Sequence, residues 1–170
     1  MLKIETLNQN HDRSTFDCGV AELNHYLKNI ARQHLTKGIS RTFVLVDTTN
    51  PIEILGFFTL ASCEIRVEKL PSKYAKKYPA TAPAAKLARL AVSSDRQRQG
   101  LGTLMIMNAI KRVITISENL GIIGFFVDAK DENVKAYYEQ FGFIPLPDNP
   151  LELFLPLPTL RQAYQAISEG

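Results

Sequence analysis

Leu90-Ala91-Val92-Ser93-Ser94-Asp95-Arg96-Gln97-Arg98-Gln99-Gly100-Leu101-Gly102 is the stretch of this 170-residue chain from which the fold can be read. Before it, in KLARLAV (86–92), Leu87, Arg89 and Ala91 alternate with Ala88, Leu90 and Val92, which predicts a strand. After it, Met105, Ala109, Val113, Ile116 and Leu120 recur at helical spacing opposite Asn108, Lys111, Arg112, Thr115 and Glu118, with Gly121 placed as a C-cap. Strand, glycine turn and helix form a layout suited to an anion. Unpaired N–H groups point out of a helix N-terminus, and the macrodipole adds partial positive charge. Gly100 and Gly102 remove side chains that would block a phosphate, and Arg96 and Arg98 add charge. The plain alternative is an ordinary strand-to-helix turn.

Spelling separates this turn from other glycine loops. A dinucleotide fingerprint needs a third glycine where Met105 stands. A P-loop needs Gly-Lys, a pair the chain lacks, and the nucleophile elbow GxSxG is absent as well.

Working outward, LKIETL (2–7) predicts a short strand. Val20, Leu23, Leu27, Ile30, Ala31 and His34 predict one helix over 20–35, with Asp17 favourable near its start. RTFVLVD (41–47) and ILGFFTLASCEI (54–65) read as strands around the turn TTNP. From Lys69 to Pro83, three prolines punctuate a loop with room for one helical turn. IIGFFVDA (122–129) is apolar enough for a strand covered on both faces. A short helix over 133–140, closing strands FGFIPL and LELFLPL, and a terminal helix in LRQAYQAISEG complete a mixed α/β order around one sheet.

Composition narrows the class. At 45% hydrophobic residues a core can be buried, and the length fits one domain. No apolar run approaches a membrane span, and MLKIETLNQN lacks a secretion signal's layout, so a cytoplasmic protein with no membrane partner is expected. Cys18 and Cys63 are far apart with no CxxC, which indicates neither a disulfide framework nor a metal site. The net charge of +3 is uneven: residues 66–98 carry nine basic and two acidic side chains. Such a segment attracts polyanions such as coenzyme A or nucleic acid, or is simply a solvated loop.

LAV…QRQGLG resembles the motif of GNAT acetyltransferases, in which Arg or Gln, two residues, Gly, one residue and Gly or Ala wrap a pyrophosphate. Gln97, Gly100 and Gly102 occupy the defining places. A second segment, Asn133 to Phe143 with Ala136, Tyr137, Tyr138 and Gly142, resembles the family's Asn, Ala, aromatic-Tyr and Gly-Phe motif. The resemblance implies a single α/β GNAT domain over residues 1–170. Its mixed, mostly antiparallel central sheet would splay at the acetyl-CoA site and be flanked by helices. It also implies acetyl-CoA as cosubstrate, with no metal. Leu90, Ala91 and Val92 would pair with the pantetheine arm, Gln97, Arg98, Gln99, Gly100, Leu101, Gly102 and Thr103 would hold the diphosphate, and Asn133 would hydrogen-bond the pantetheine. Tyr138 is then the implied acid for the departing thiolate, with Tyr137 as its packing neighbour.

No general base is evident. KLARLAV has no carboxylate, and His11, His25 and His34 all fall in the first quarter of the chain. With reference pKa values of about 7.7 and about 10.4, about a sixth of an α-amine is neutral at pH 7, against about 0.04% of a lysine. An α-amino acceptor is therefore the better match.

The segments 11–33, 39–47, 54–65 and 153–160 extend the likeness, and resemble the GNAT toxins of bacterial toxin–antitoxin pairs (the TacT and AtaT type). This implies acetylation of the α-amine of aminoacyl-tRNA, which blocks translation, a ribbon-helix-helix antitoxin and a homodimer. Lys73, Lys76, Lys77 and Arg89 are the candidate tRNA contacts, with Tyr74 and Tyr78 interleaved. Two other readings stand beside it: a GNAT enzyme acting on a small amine or a peptide N-terminus, and a non-catalytic acyl-CoA-binding or DNA-regulatory module. A DNA regulator would need a reading helix, and none is evident.

Overall fold

A computed structural model describes residues 1–169, with side chains through residue 166. Seven strands, β1 (Leu2–Thr6), β2 (Arg41–Asp47), β3 (Gly56–Arg66), β4 (Thr81–Val92), β5 (Gly124–Asp128), β6 (Ile144–Leu146) and β7 (Asn149–Pro156), form a sheet in the order β1-β2-β3-β4-β5-β7-β6. The β1/β2, β2/β3, β5/β7 and β6/β7 pairs are antiparallel, whereas β4/β5 is parallel. Helices α1 (Ala21–Asn29), α2 (Ala31–Lys37), α3 (Ser72–Ala75), α4 (Leu101–Asn119), α5 (Glu132–Glu139) and α6 (Leu157–Glu169) connect or follow the strands. The mixed, mostly antiparallel architecture matches the expectation.

Two compact units emerge, Met1–Ala61 with Ala88–Ala109, and Ser62–Leu87 with the chain from Ile110 onward. In the first, Phe16, Tyr26, Leu27, Ala31, Val44, Val46, Phe57 and Ala91 bury a common core. A directly paired Thr42 and Thr59 bond hydroxyl to hydroxyl at 2.8 Å, so this buried polar pair is satisfied. In the second, Ile65, Val67, Leu70, Ala84, Phe126 and Phe154 pack with Tyr74 and Tyr78. Strand β5 is buried over Gly124–Val127, as its unbroken apolar run requires.

Four local expectations need correction. The helix expected over 20–35 breaks at Ile30, whose φ of −119° leaves the helical range. The Asn29 side-chain amide donates to the His25 carbonyl and ring nitrogen there, competing with the backbone ladder. Strand β4 starts at Thr81, inside the expected loop. Pro83 is tolerated because it lies near the strand start, and its carbonyl accepts the Ile123 N–H at 2.9 Å. Gly121 is not a left-handed cap. Helix α4 closes with Leu120 N–H on the Ile116 carbonyl and the Asn119 amide on the Thr115 carbonyl, and Leu120 is 64% exposed. The buried face of α4 keeps the expected Met105, Ala109 and Val113 and adds Ile106, Ile110 and Ile114. The left-handed helix cap is Gly38, which ends α2 with φ 73°.

Candidate active site

In the first unit, strand β4 delivers the chain into the glycine turn and hydrogen bonds hold that turn firmly. Ser93 N–H donates to Leu55 O at 2.9 Å, and Ser94 N–H to Asp17 O at 2.8 Å. The Gln97 side-chain amide donates to both Cys18 O and Val92 O at 3.1 Å. Gln97 thus uses its side-chain N–H groups to tie the turn to β4 and to the 17–19 segment, so an anion would meet its backbone. Asp17 serves the same lead-in: its carboxylate accepts from Gly19 N–H and Asn24 Nδ2, which hold its pKa below the usual value. It does not cap α1.

Arg98 has φ 66° and Gly100 φ 77°. Left-handed residues inside such a turn curl successive amides toward one concave side. For Arg98 this conformation costs about 1–2 kcal/mol, a strain that the anchored flanks sustain. Helix α4 begins at Leu101, and its first turn closes with Leu104 N–H on Gly100 O at 3.1 Å. The amides of Leu101 and Gly102 therefore precede the ladder. No acid lies in that first turn, so nothing there opposes a phosphate. A Cβ added at Gly100 would meet nothing within 4 Å, so the space above it is open. This arrangement fits a diphosphate. Beneath β4, an added Cβ at Gly56 would lie 2.9 Å from the Ala91 carbonyl and from Met105 Cε, so only glycine lets β3 approach so closely. Gly56 escaped the sequence reading, since its need arises from a partner 35 residues away in sequence.

A cavity of about 490 Å³ opens beside Ser93–Asp95 in the same unit, lined in part by the carboxylates of Asp12, Asp17, Glu53 and Asp95. That lining repels a diphosphate, so the glycine turn is the better anion site despite the cavity's size.

In the second unit, Asp131 Oδ1 accepts the Val134 N–H at 2.9 Å and caps α5. Asn133 follows, exposed in the first turn, and Tyr138 comes later with only 5% exposure. The Tyr138 ring packs at 5.7 Å from Tyr137 and 5.6 Å from Phe143, and Phe143 meets Phe125 at 5.8 Å. Burial, with a smaller contribution from Tyr137, pushes the phenol pKa well above 10. Packing was expected mainly of Tyr137. It falls more heavily on Tyr138, because Tyr137 is half-buried with its ring edge-on to Phe141.

The fold thus gathers Leu90, Ala91, Val92 and Gln97–Thr103 in one unit, and Asn133 and Tyr138 on one helix of the other. Lys73, Lys76 and Lys77 are exposed on and just after the single turn of α3. The ammonium groups of Lys73 and Lys77 lie 5.1 and 5.5 Å from the centre of the Tyr74 ring. Arg89 is half-buried and belongs to the first unit. Lys86 is engaged by Asp128 at 2.8 Å, which raises its pKa against the opposing effect of burial. Cys63 has its thiol pKa pushed up by burial and is a poor nucleophile. His34 packs edge-on to Tyr26 at 5.8 Å. Among the described residues, no group of three or more His, Cys, Asp or Glu side chains could hold a metal ion. Nor is any helix long and apolar enough to cross a membrane.

Comparison with known proteins gives concordant results. The model of the acetyltransferase (GNAT) domain matches residues 39–145, more than half the chain. A tRNA-acetylating toxin of Mycobacterium tuberculosis is 31% identical over 144 residues, covering 85% of each protein. The structure of AtaT complexed with acetyl-methionyl-tRNAfMet superposes with a TM-score of 0.88 at 32% identity, over 96% of this chain and 99% of that one. A tyrosine-to-phenylalanine mutant of the AtaT toxin, bound to the C-terminus of the antitoxin AtaR and to acetyl-CoA, gives a TM-score of 0.78 at 30% identity, over 97% and 99%. With its glycine turn, its parallel β4/β5 junction and these matches, the chain belongs to the GNAT acetyltransferase family.

Proposed function

We propose that this enzyme is a toxin that transfers an acetyl group from acetyl-CoA to the α-amino group of aminoacyl-tRNA and thereby blocks translation. The observation that carries the reading is likeness, over nearly the whole chain, to a toxin seen with acetyl-methionyl-tRNAfMet. A basic segment suited to RNA phosphates supports it.

Bound acetyl-CoA supplies an activated acetyl thioester. The amides of the 97–103 turn take its diphosphate, and Arg96 and Arg98 add charge. Leu90, Ala91 and Val92 present strand backbone to the pantetheine arm, with Asn133 as a further hydrogen-bonding group. The Val92 N–H stabilises negative charge on the acyl oxygen. Tyr138 stabilises the departing sulfur. Its raised pKa keeps the phenol protonated, and so a donor, across the physiological range. The same shift makes full proton transfer to a thiolate of pKa about 8.5 uphill. Tyr138 therefore acts as a hydrogen-bond donor to the departing sulfur, and the proton that completes the thiol is the one the acceptor nitrogen loses as the C–N bond forms and the C–S bond breaks. No carboxylate or imidazole lies on 90–92, which suits an acceptor that is already partly neutral, as an α-amine is.

Lys73, Lys76 and Lys77 supply exposed phosphate contacts. An antitoxin of the ribbon-helix-helix type neutralises the enzyme, and two copies form a homodimer, as the resemblance to the toxins of toxin–antitoxin pairs implies. The test is incubation with labelled acetyl-CoA and total aminoacylated tRNA. Label recovered as N-acetyl-aminoacyl-tRNA supports the reading, whereas label on free polyamines or peptide N-termini alone replaces it with the small-amine alternative.

A further inference from the structure

We propose that Arg89 is a specificity-determining residue that grips the phosphate 5′ of the terminal nucleoside of the aminoacylated strand, and that Tyr26 is its positioning residue. The inference rests on the acetyl-transfer reading above and goes on to name the group Arg89 recognises.

The geometry is that of a held side chain. The Arg89 guanidinium lies 3.8 Å from the centre of the Tyr26 ring, which covers one face of the ion. Tyr26 is itself fixed. It is 2% exposed, stacks on Phe57 at 6.4 Å, meets His34 edge-on at 5.8 Å, and shares a hydrogen bond with Ser40 Oγ at 3.1 Å. Covering the face of a guanidinium leaves its in-plane N–H donors available. Among the described residues no carboxylate lies within ion-pairing reach of Arg89. Lys86, three residues earlier, differs in being paired with Asp128. A half-buried arginine whose ring partner is supplied by the fold, and whose anion is not, is built to receive one from outside. Its planar fork suits a phosphate better than an ammonium does, and the stacking removes rotamer freedom before the ligand arrives.

Which phosphate follows from length. Arg89 precedes Val92 by three residues on one strand, about 10 Å at the usual rise. From an esterified α-amine, eight bonds lead through the 3′ oxygen and the ribose to the 5′ phosphorus. At about 1.2 Å of net reach per bond, this is roughly 10 Å. With the acetyl group at Val92, the span from amine to this last phosphorus of the strand matches the backbone spacing from Val92 to Arg89, so this is the phosphate offered to Arg89. The exposed lysines near α3 are left to act on other phosphates.

The test compares the wild-type enzyme on two small acceptors, a 3′-aminoacyl-adenosine and the same compound bearing a 5′-phosphate. Wild type should favour the phosphorylated acceptor in kcat/KM by on the order of 10- to 100-fold, as a charge-assisted contact implies. Arg89→Gln should collapse that ratio to about one. Arg89→Lys should retain part of it, and Tyr26→Leu should lower it by raising KM for the phosphorylated acceptor alone. A wild-type ratio near one overturns the proposal. So does an Arg89→Gln enzyme that loses activity equally on both acceptors, or a destabilised Arg89→Gln enzyme whose folded fraction keeps the wild-type ratio, since either marks a purely structural stack. Failure of wild type on intact aminoacyl-tRNA would instead defeat the underlying reading of function.

Discussion

Gly100 and Gly142 both adopt left-handed backbone in turns that resemble family motifs, yet their surroundings are opposite. An added Cβ at Gly100, φ 77°, meets nothing within 4 Å. At Gly142, φ 98°, it would lie 2.9 Å from Thr159 Cγ2 and 3.3 Å from Leu155 Cδ1. One glycine shapes a turn and leaves its outer side bare, whereas the other lets chain segments pack. The first unit therefore leaves the backbone of its turn open on one side, and the second uses its turn to bring Thr159 and Leu155 close to the chain. Family motifs spell both as glycine, but the physical demands differ.

The largest expected effect lies in the second unit. Tyr138→Phe should cut kcat by about 10²–10³-fold, the usual worth of a hydrogen-bond donor to developing charge, while acetyl-CoA affinity by calorimetry changes little. Comparable losses in both would make Tyr138 a packing residue only. Next come the glycines themselves. Gly142→Ala should destabilise by about 2–5 kcal/mol, combining left-handed strain with overpacking, as read by chemical denaturation. Gly100→Ala should cost only the strain, about 1–2 kcal/mol, but should weaken acetyl-CoA binding measurably. If the two variants lose equal stability, the contrast between them fails.

A smaller effect is expected at the basic segment. Lys76→Glu with Lys77→Glu should lower kcat/KM on aminoacyl-tRNA about tenfold and flatten its salt dependence by a slope of roughly 1.5, with acetyl-CoA affinity kept. Unaltered tRNA acetylation would make these lysines a solvated face. The smallest effect concerns Glu5, whose pKa is held below its ordinary 4.5, mainly by a hydrogen bond from His11 at 2.8 Å. A depressed carboxylate stabilises the fold above that ordinary value and loses its contribution as pH falls through the folded value. Glu5→Gln should therefore flatten the decline of Tm below about pH 4.5, and an unchanged decline would remove Glu5 from the account.

Periodicity made most elements readable. Strands β2 and β5 and helices α4 and α5 stand near where the local pattern puts them, because each has one dominant apolar face or run. What escaped was set by distant partners. Thr81–Pro83 looked like loop because of Pro83, and it is the start of the strand whose Ala85–Leu87 pair with Phe125–Val127. Tyr26, absent from the expected apolar stripe of its helix, is among the most buried residues, since Phe57 and Arg89 arrive from strands far along the chain. The strand, glycine turn and helix were legible from spacing, and that spacing left an anion site and an ordinary turn both open. That Gln97 spends its side-chain amide on Cys18 and Val92 was not legible, because those carbonyls are brought to it only by the fold.

Binding of acetyl-CoA against acetyl-pantetheine, which lacks the diphosphate and the 3′-phosphoadenosine, in the wild type and in Gly100→Val tests most directly whether main-chain amides after Asp95 hold the donor. The account predicts that acetyl-CoA binds the wild-type enzyme at least about 100-fold more tightly, two charge-assisted contacts' worth, and that Gly100→Val removes most of that advantage. Equal affinities for the two donors, or an advantage that survives the substitution intact, would contradict it.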